Sequence, residues 1–454
     1  MTPVFRTVAM AVALGCVPAS LLAQEKKAGE EALGTQPYER FEKPDFCGTA
    51  CHLDFYRQWE QAMMSQAYTH HWDEIEYFRL AVPHAEKDPV VAGVKAGCNG
   101  CHSPLAFLVG DVPPPPPSAQ SRANESVSCD VCHTITGFKG DVPFNFNYIS
   151  EPGTAKYGAR DGVEDSPAHE IRIHEFITKA EFCGTCHNEK SPYGVWVKAT
   201  QLEWKEGPYA KQGVQCQACH MTQAQGKLAE LGPERSGVWQ HLFHGAHDPG
   251  KVRGTIEVRI HPDVREAEPG ESVKFTVALF NQKAGHKFPT GSAEERMVWL
   301  HVEAKDAAGT AYHLPVDRKN FPGEEYTIAA PTLAYQDLGV PLNIPDFKGI
   351  ERDGVPAGDR IFRLPYLDPQ GRMTIMQWNT ASQATDYRIG PRETKIETYT
   401  WTLPDEVAPG TLTVTATLNY QLLPRPVVEF LGVPEEEAAI VTVNTHTTTI
   451  TILE

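Results

Sequence analysis

The sequence lacks any apolar run long enough to cross a bilayer. A membrane-spanning helix needs about 20 mainly apolar residues, and runs such as Val8–Leu14 are far shorter. It also lacks an excess of basic residues, since 41 Lys and Arg face 58 Asp and Glu for a net charge of −17. Nucleic-acid binding rests on cationic side chains that neutralise phosphates. We therefore expect a globular chain with no membrane span and no nucleic-acid partner.

The first 23 residues have the pattern of a secretory signal peptide. Arg6 supplies the positive charge, Val8–Leu14 the short apolar core, and Ala19–Ala23 a small-residue cleavage site. We expect residues 1–23 to be removed and the mature protein to be periplasmic or extracellular. Lipidation at Cys16 stays open as an alternative.

No cysteine is left over outside a repeated motif. Of the 11 cysteines, Cys16 falls in the signal peptide, and the other ten occur as five pairs, each followed directly by histidine. An exported chain can use ten cysteines in five disulfides, and zinc ribbons also use paired cysteines. Neither requires a histidine after every pair. With only 18 histidines in 454 residues, this placement is not expected by chance.

The C-x-x-C-H pattern is the attachment signal for c-type haem. The two thiols bond to one edge of the porphyrin, and the adjacent histidine binds the iron from one face. Cys47–His52 has one extra residue, which must bulge out so that both thiols can reach the porphyrin. We predict five covalently bound haem c groups, held by Cys47, Cys51, Cys98, Cys101, Cys129, Cys132, Cys183, Cys186, Cys216 and Cys219. The predicted proximal iron ligands are His52, His102, His133, His187 and His220.

Each iron also needs a second ligand or an open position. Thirteen histidines lie outside the motifs (18 minus 5), which is enough to close all five irons. Four of them lie in strand-like segments and are interpreted as ordinary strand residues: His261, His301, His313 and His446. The distal candidates are His70, His71, His84, His169, His174, His241, His247 and His286, and His244 belongs to the same cluster as His241 and His247. Met64 is a thioether alternative, which would raise the reduction potential of its haem.

The hydrophobic pattern changes after residue 250. Before it lie short helical stretches and loops, such as the helix predicted over Leu53–Met64; after it, apolar and polar residues alternate with period two. We predict an α+β chain: a flexible arm over 24–45, a multihaem domain of short helices and loops over 46–250, and an antiparallel, immunoglobulin-like β-sandwich over 251–454. The Pro-, Gly- and Asp-rich stretch at about 320–388 is predicted as a long irregular insertion that can pack back on the multihaem domain.

The spacing of the motifs suggests a weak internal repeat. The motifs begin at 47, 98, 129, 183 and 216, so long and short gaps alternate. Repeats of similar length usually mean repeated geometry. We therefore expect the motifs at 98 and 129 to be direct neighbours, and likewise those at 183 and 216.

These motifs resemble the multihaem c-type cytochromes related to the tetrahaem electron carrier of ammonia oxidisers and to the hydroxylamine-oxidoreductase group. The similarity includes Phe182–His187, Val214–Met221, the His241–His247 cluster and the Gly285–Gly291 loop. In that group a helix with Tyr-x-x-Trp follows the first motif and carries a ligand histidine, and Met64 falls near that position here. The resemblance implies haem attachment and electron transfer with redox protein partners.

Three functions remain open on the sequence alone. An electron-transfer cytochrome is favoured, because five haems with enough histidines to close every iron make a conducting path. A nitrite, hydroxylamine or oxyanion reductase needs one open iron, for which the unusual Cys47–His52 site is the candidate. Pentahaem nitrite reductases carry a C-x-x-C-K motif, which is missing here. A homo-oligomer or extracellular haem filament is the third alternative.

Overall fold

The structure is a computed structural model that describes residues 29–161, 166–319, 324, 333–352 and 354–454. The predicted signal peptide and Cys16 lie outside these residues. The described part of the predicted arm is packed rather than flexible. The backbone nitrogens of Gly34 and Gln36 donate to the carbonyl oxygens of Phe107 (3.2 Å) and Leu108 (3.0 Å). Phe41 is buried.

The N-terminal part is built mainly from short helices. The described α-helices are α1 (Pro44–Gly48), α2 (Leu53–Glu60), α3 (Met63–Gln66), α4 (His71–Ile75), α5 (Val82–Lys87), α6 (Val94–His102), α7 (Pro104–Val109), α8 (Cys129–Cys132), α9 (Ala180–His187), α10 (Thr200–Glu206), α11 (Pro208–Lys211), α12 (Gln217–His220), α13 (Pro249–Val252) and α14 (Arg425–Leu431). The predicted helix behind the first motif is split, because Ala62 is extended between α2 and α3. A π-helical segment, Glu76–Ala81, joins α4 to α5. None of the described helices is long and apolar enough to cross a membrane.

Four small two-stranded sheets lie between these helices. They pair β1 (Ile135–Phe138) with β2 (Tyr148–Ser150), β3 (Ala155–Gly158) with β4 (Glu170–Ile173), β5 (Asn188–Lys190) with β6 (Trp196–Ala199), and β7 (Gln223–Lys227) with β8 (Glu234–Trp239). Only the β3–β4 pair is parallel within this group. The first three pairs lie between the third and fifth motifs along the chain, and the fourth follows the fifth motif.

The C-terminal part is rich in strands. One sheet has the order β18-β11-β9, with β9 at Ile256–Pro262, β11 at Ser272–Asn281 and β18 at Thr394–Thr402. The second has the order β10-β20-β19-β12-β13, with β14 also paired to β12; its strands are β10 (Glu266–Ala267), β12 (Met297–Lys305), β13 (Ala311–His313), β14 (Arg360–Ile361), β19 (Gly410–Gln421) and β20 (Ile440–Ile452). A small sheet contains β15 (Tyr366–Leu367), β16 (Met373–Thr374) and β17 (Ser382–Gln383).

The two larger sheets share one hydrophobic core. Phe275 and Val277 of β11 are buried in the same cluster as Leu300 of β12 and Val414 of β19. Along β11 buried and accessible residues alternate, as expected for a strand with one face on a core. The chain is therefore α+β, with a helical N-terminal region and a strand-rich C-terminal part. The immunoglobulin-like topology stays a prediction.

The described part of the predicted insertion packs against the helices. Trp72 and Leu80, from the α4–α5 region, share a second hydrophobic cluster with Tyr335, Met376 and Trp378. This contact joins the strand-rich part to the helices that precede the second motif.

Candidate functional site

One cavity of about 2470 Å³ is lined by residues of all five motifs. The histidines on its wall include His52, His102, His133, His187 and His220. None of the ten cysteines in the described residues is paired in a disulfide. The structure thus brings motifs far apart in sequence to one internal space, with thiols and imidazoles together.

The motifs lie on short helices because a C-x-x-C spacing puts both thiols on one helix face. In two regular motifs the backbone nitrogen of the histidine donates to the backbone carbonyl four residues earlier. His133 donates to Cys129 and His220 donates to Cys216, both at 3.0 Å. In the first motif the backbone nitrogen of His52 donates to the carbonyl five residues earlier, that of Cys47, at 3.0 Å. The extra residue is therefore absorbed by a wider, π-type turn.

Three motif histidines face a second imidazole across the cavity. The ring centroids of His52 and His169 are 6.2 Å apart, and those of His133 and His241 are also 6.2 Å apart. A metal bound to two imidazole nitrogens at about 2 Å each separates the ring centroids by about 6 Å. The spacing fits an iron between each pair.

The third such pair joins the two parts of the chain. His286, in the loop between β11 and β12, stacks on His220 with centroids 6.3 Å apart and an interplanar angle of 18°. The loop is held by Glu203 of α10, which accepts hydrogen bonds from the Lys287 backbone nitrogen (3.2 Å) and the Thr290 hydroxyl (2.7 Å). The strand-rich part therefore contributes an imidazole to the cavity.

The hydrogen bonds of these imidazoles leave one nitrogen free for a metal. In all six rings Nδ1 lies 2.6–3.1 Å from a backbone carbonyl oxygen, the partners being Leu228 for His52, Glu170 for His169, Tyr157 for His133, Trp239 for His241, His244 for His220 and Lys287 for His286. A carbonyl only accepts, so Nδ1 carries the proton and Nε2 has the lone pair. Burial lowers the pKa of His220 and of His241 to about 4, which keeps these rings in the neutral form that binds metals.

Two motif histidines have no imidazole at this distance among the described residues, His102 and His187. Nδ1 of His102 lies 2.8 Å from the carbonyl of Ala67 and 3.3 Å from a carboxylate oxygen of Asp73. Burial would lower the pKa of His102, but the hydrogen bond and charge of Asp73 raise it to about 9. At His187, burial and then the charge of Lys198 lower the pKa to about 4.

Three other distal candidates gather around one carboxylate instead of a motif histidine. Nε2 of His70 and Nε2 of His71 lie 2.9 Å and 2.6 Å from Oε1 of Glu437. His247 meets His70 edge to face at 5.3 Å. A carboxylate from the strand-rich part therefore bonds His70 and His71, and none of the three histidines lines the cavity. Iron ligation by these three histidines stays a prediction.

The remaining candidates also lack a motif partner. His84 is buried, and its Nδ1 accepts a hydrogen bond from the Trp378 indole at 3.1 Å. Nδ1 of His174 accepts from the backbone nitrogen of Phe176 at 3.3 Å. In both rings Nδ1 accepts, so the proton lies on Nε2, unlike in the paired histidines. Ligation by His84 and His174 stays a prediction. Met64 lines the cavity and stays a prediction.

The charges around His102 were not anticipated from the sequence. Asp73 is also 3.5 Å from His70, and the nearby Lys198 is paired with Glu189 at 2.7 Å. Burial and the charge of Glu295 raise the pKa of Glu76, on the π-helical segment, to about 8. No local pattern points to Asp73, because its partner lies on a different helix.

The thiols show which motifs are neighbours. Thiol contacts join Cys47 to Cys129 and Cys183 to Cys216. Cys101 is instead next to Cys186, with its sulfur 4.0 Å from that residue's carbonyl oxygen. The expected contact between the motifs at 183 and 216 is present, whereas direct contact between the motifs at 98 and 129 stays a prediction. Helix α8 packs on α1, so the third motif pairs with the first.

The cluster of His70, His71 and Glu437 makes stability depend on pH. Burial lowers the pKa of His70, but hydrogen bonds to Asp73 and Glu437 raise it from 6.5 to about 9. A group with a raised pKa contributes stability that is complete below its unfolded pKa and is lost as the pH rises through its folded pKa. The shift corresponds to on the order of 3 kcal/mol at most.

We expect the melting temperature to fall between pH 6.5 and about 9 in the native protein, and to fall less in Glu437→Gln. Circular dichroism melts at both ends of this range measure the difference. Glu436→Gln is the matched control, because the neighbouring residue removes the same charge without a bond to His70 or His71. Equal losses in all three proteins would contradict the expectation.

The comparisons with known proteins agree with this geometry. Residues 47–134, which contain the first three motifs, match the family described as cytochrome c554 and c-prime. No curated protein matches the chain. The penta-heme cytochrome c552 of Thermochromatium tepidum has a similar fold, with a TM-score of 0.61 and 20% sequence identity, over 91% of this chain and 100% of that one.

Weaker likenesses cover less than half of the chain. The CARDB domain of the PF1109 protein of Pyrococcus furiosus is 12% identical over 44% of this chain and 87% of its own, with a TM-score of 0.18. Spo0M of Bacillus subtilis is 12% identical over 44% of this chain and 49% of its own, with a TM-score of 0.17. Similarities this low carry no conclusion.

Proposed function

The family match and the shared fold support a multihaem c-type cytochrome, and from that premise we propose that the protein carries electrons between redox proteins through five haem c groups. The observation that carries the proposal is the set of three imidazole pairs, 6.2–6.3 Å apart, in one cavity that touches every motif. Haem c supplies reversible one-electron chemistry at iron.

We assign the ligands from these pairs. The ten motif cysteines hold the porphyrins, and the five motif histidines are the proximal ligands. The proposed distal ligands are His169 opposite His52, His241 opposite His133, and His286 opposite His220. Because His286 comes from the strand-rich part, residues 251–454 complete a haem site in this proposal. Buried imidazoles with fixed Nδ1 bonds change little when the iron changes charge, which suits electron transfer.

The thiol contacts support an order for the haems. The first motif is next to the third, through Cys47 and Cys129. The fourth motif is next to the second through Cys186 and Cys101, and next to the fifth through Cys183 and Cys216. Cys132 lies near Cys186, which connects the two groups. We propose a path from the first motif through the third and fourth to the fifth, with the second motif as a side branch at the fourth.

The test of the electron-carrier function is a redox titration followed by optical and electron paramagnetic resonance spectra. Six-coordinate haems give low-spin spectra in both oxidation states and do not bind carbon monoxide. We expect at least the three paired sites to behave in this way. A protein in which most haems are high-spin at rest would overturn the proposal.

A reductase is the second candidate function, favoured by the two motif histidines without an imidazole partner. Because His52 faces His169, the better candidate for an open iron is the site of His102 or of His187. The substrates to test are nitrite, hydroxylamine and other small oxyanions, with reduced dye as electron donor. Turnover together with carbon monoxide binding at one haem per chain would favour this reading, whereas inertness in both assays would count against it.

Export and assembly are further proposals. We propose a periplasmic or extracellular location, since covalent haem c attachment and the predicted signal peptide point the same way. Basic redox partners fit the net charge of −17.

Self-association into an oligomer or filament is tested by electron microscopy at high concentration, where monomers alone would exclude it.

The count of five haems has its own test. Removing both thiols of the unusual motif, in Cys47→Ser/Cys51→Ser, is expected to lower the mass of the denatured protein by one haem group, because thioether bonds survive denaturation. Thr49→Ala is the control: among the described residues its hydroxyl bonds to the Asp45 carbonyl alone, within the same turn (2.7 Å), and the count should stay at five. If the double-serine protein carried as much covalently bound haem as the native protein, the first motif would hold no haem and the count would be four at most.

A further inference from the structure

Two histidines expected to be ordinary strand residues meet at one buried carboxylate. Nδ1 of His301 lies 3.0 Å from Oδ2 of Asp359, and Nε2 of His313 lies 2.8 Å from Oδ1. The three donor atoms are within 4.8 Å of one another. The two rings are nearly parallel, at 7°, with centroids 5.2 Å apart. This His-His-Asp cluster is separate from the haem cavity, whose lining includes none of the three.

Strand pairing builds the cluster. β12 pairs with β19 on one edge, so β13 and β14 both pair with its other edge. Glu303 lies opposite His313, and Leu300 lies opposite Arg360. Because β14 is antiparallel to β12, the residue before Arg360, which is Asp359, falls beside His301. Residues two apart on a strand share a face, so His301 reaches His313 diagonally.

A glycine fixes the approach of the carboxylate. Gly358 has a φ of 97°, in the region that favours glycine. A Cβ at this position would lie 2.8 Å from Cβ of Pro315 and 3.4 Å from Cε1 of His313. The turn therefore passes close to His313 with no room for a side chain, and this sets the position of Asp359.

The carboxylate of the cluster is buried between two imidazoles. The Asp359 side chain is 0% exposed, and in the described parts of the chain no Lys or Arg side chain bonds to its carboxylate. A buried carboxylate is costly unless it is paired with positive charge. Among the described residues its side chain is bonded by the two half-buried imidazoles, while Arg352 bonds to the Asp359 backbone carbonyl at 3.3 Å. Exposed Glu303 adds negative charge near His301.

We propose that His301, His313 and Asp359 bind a divalent transition-metal ion of the zinc type. Two imidazole nitrogens and one carboxylate oxygen suit borderline metals such as Zn²⁺, Cu²⁺ and Ni²⁺, whereas Ca²⁺ and Mg²⁺ prefer all-oxygen sites. The side chains of His301 and His313 are 30% and 34% exposed, which leaves an entry path and room for water as the fourth ligand. The ion would clamp β13 and the Gly358 turn onto β12.

The test measures zinc bound to the full, haem-loaded protein. The protein is incubated with zinc chloride, excess zinc is removed by gel filtration, and bound zinc is counted per chain by native mass spectrometry. We expect the double variant His301→Ala/His313→Ala to bind one zinc ion fewer than the native protein. We also expect zinc to raise the melting temperature of the native protein but not that of His313→Gln, which changes a partly exposed residue and keeps the buried Asp359.

The matched control removes a different pair of strand histidines. His261 and His446 lie 6.3 Å apart on β9 and β20, and they share no carboxylate in the described structure. His261→Ala/His446→Ala should keep the full zinc count. Equal zinc counts in the native protein and the His301→Ala/His313→Ala variant, including no zinc in either, would overturn the proposal. Equal thermal stabilisation of His313→Gln and the native protein would also overturn it.

Discussion

Replacing His241 with glycine is expected to convert one haem of the native protein from low-spin to high-spin. His241 faces His133 with ring centroids 6.2 Å apart, and burial keeps its imidazole neutral by lowering its pKa to about 4. Removing the ring leaves the iron at His133 with a single imidazole. The change should affect about one-fifth of the haem signal, since one distal ligand serves one iron.

The measurement is electron paramagnetic resonance of the oxidised protein, with carbon monoxide binding to the reduced protein as a second readout. Added imidazole should enter the space left by the missing ring and restore the low-spin signal. This rescue separates loss of a ligand from general damage to the fold. An unchanged low-spin spectrum in His241→Gly would remove His241 from the ligand set.

His244→Ala is the matched control in the same loop. Its side chain is half exposed and faces Asp248 at 3.2 Å, while its backbone carbonyl accepts the Nδ1 proton of His220 at 2.7 Å. An alanine keeps that carbonyl, so the haem spectra should not change. The pair of variants therefore distinguishes an imidazole that faces iron from one that only shares the loop.

Local patterns in the sequence were sufficient for the attachment motifs and for most strands. The thiols and the histidine of a motif are adjacent in sequence, so their chemistry can be recognised without knowing the fold. Alternation with period two over residues 272–280 and 297–304 predicted strands that the structure has at Ser272–Asn281 and Met297–Lys305. Both features depend on interactions within a few residues.

The distal positions could not be predicted in this way. His169, His241 and His286 all lie in loops, and what brings each to a motif histidine is the path of the chain around the cavity. By sequence, His70 and His71 are equally good candidates. In the structure, however, they bond to the carboxylate of Glu437, which is 366 residues from His71. Spacing along the chain did not predict the contact between the first and third motifs for the same reason: it gives the length between motifs and not the direction in which α8 returns to α1.

The same non-local packing makes Asp73 a positioning residue for one haem. Among the hydrogen-bonded motif histidines in the described structure, His102 alone has a carboxylate as well as a backbone carbonyl near Nδ1. Burial would raise the pKa of Asp73, but its bonds to His102 and His70 hold that pKa well below its usual range, so it is ionised. A carboxylate at Nδ1 makes the imidazole a stronger donor to its metal, and this stabilises the oxidised iron.

Replacing Asp73 with asparagine is therefore expected to raise the reduction potential of the haem held by His102. Asparagine keeps the shape and an accepting oxygen, but it removes the charge. A charge-assisted hydrogen bond contributes about 1.5–3 kcal/mol, which corresponds to a shift of about 65–130 mV for one electron. A spectropotentiometric titration should show one haem moving to higher potential while the others keep theirs.

Glu74→Gln is the control, because it removes the same charge one residue along the same helix and contacts no motif imidazole in the described residues. A uniform small shift of every haem in both variants would indicate only the change in net charge and would contradict a specific role for Asp73. A selective shift in Asp73→Asn, with carbon monoxide binding unchanged, would show that Asp73 acts through His102 and not by closing the iron. The haem of the second motif would then have a lower potential than its axial ligands alone would give it.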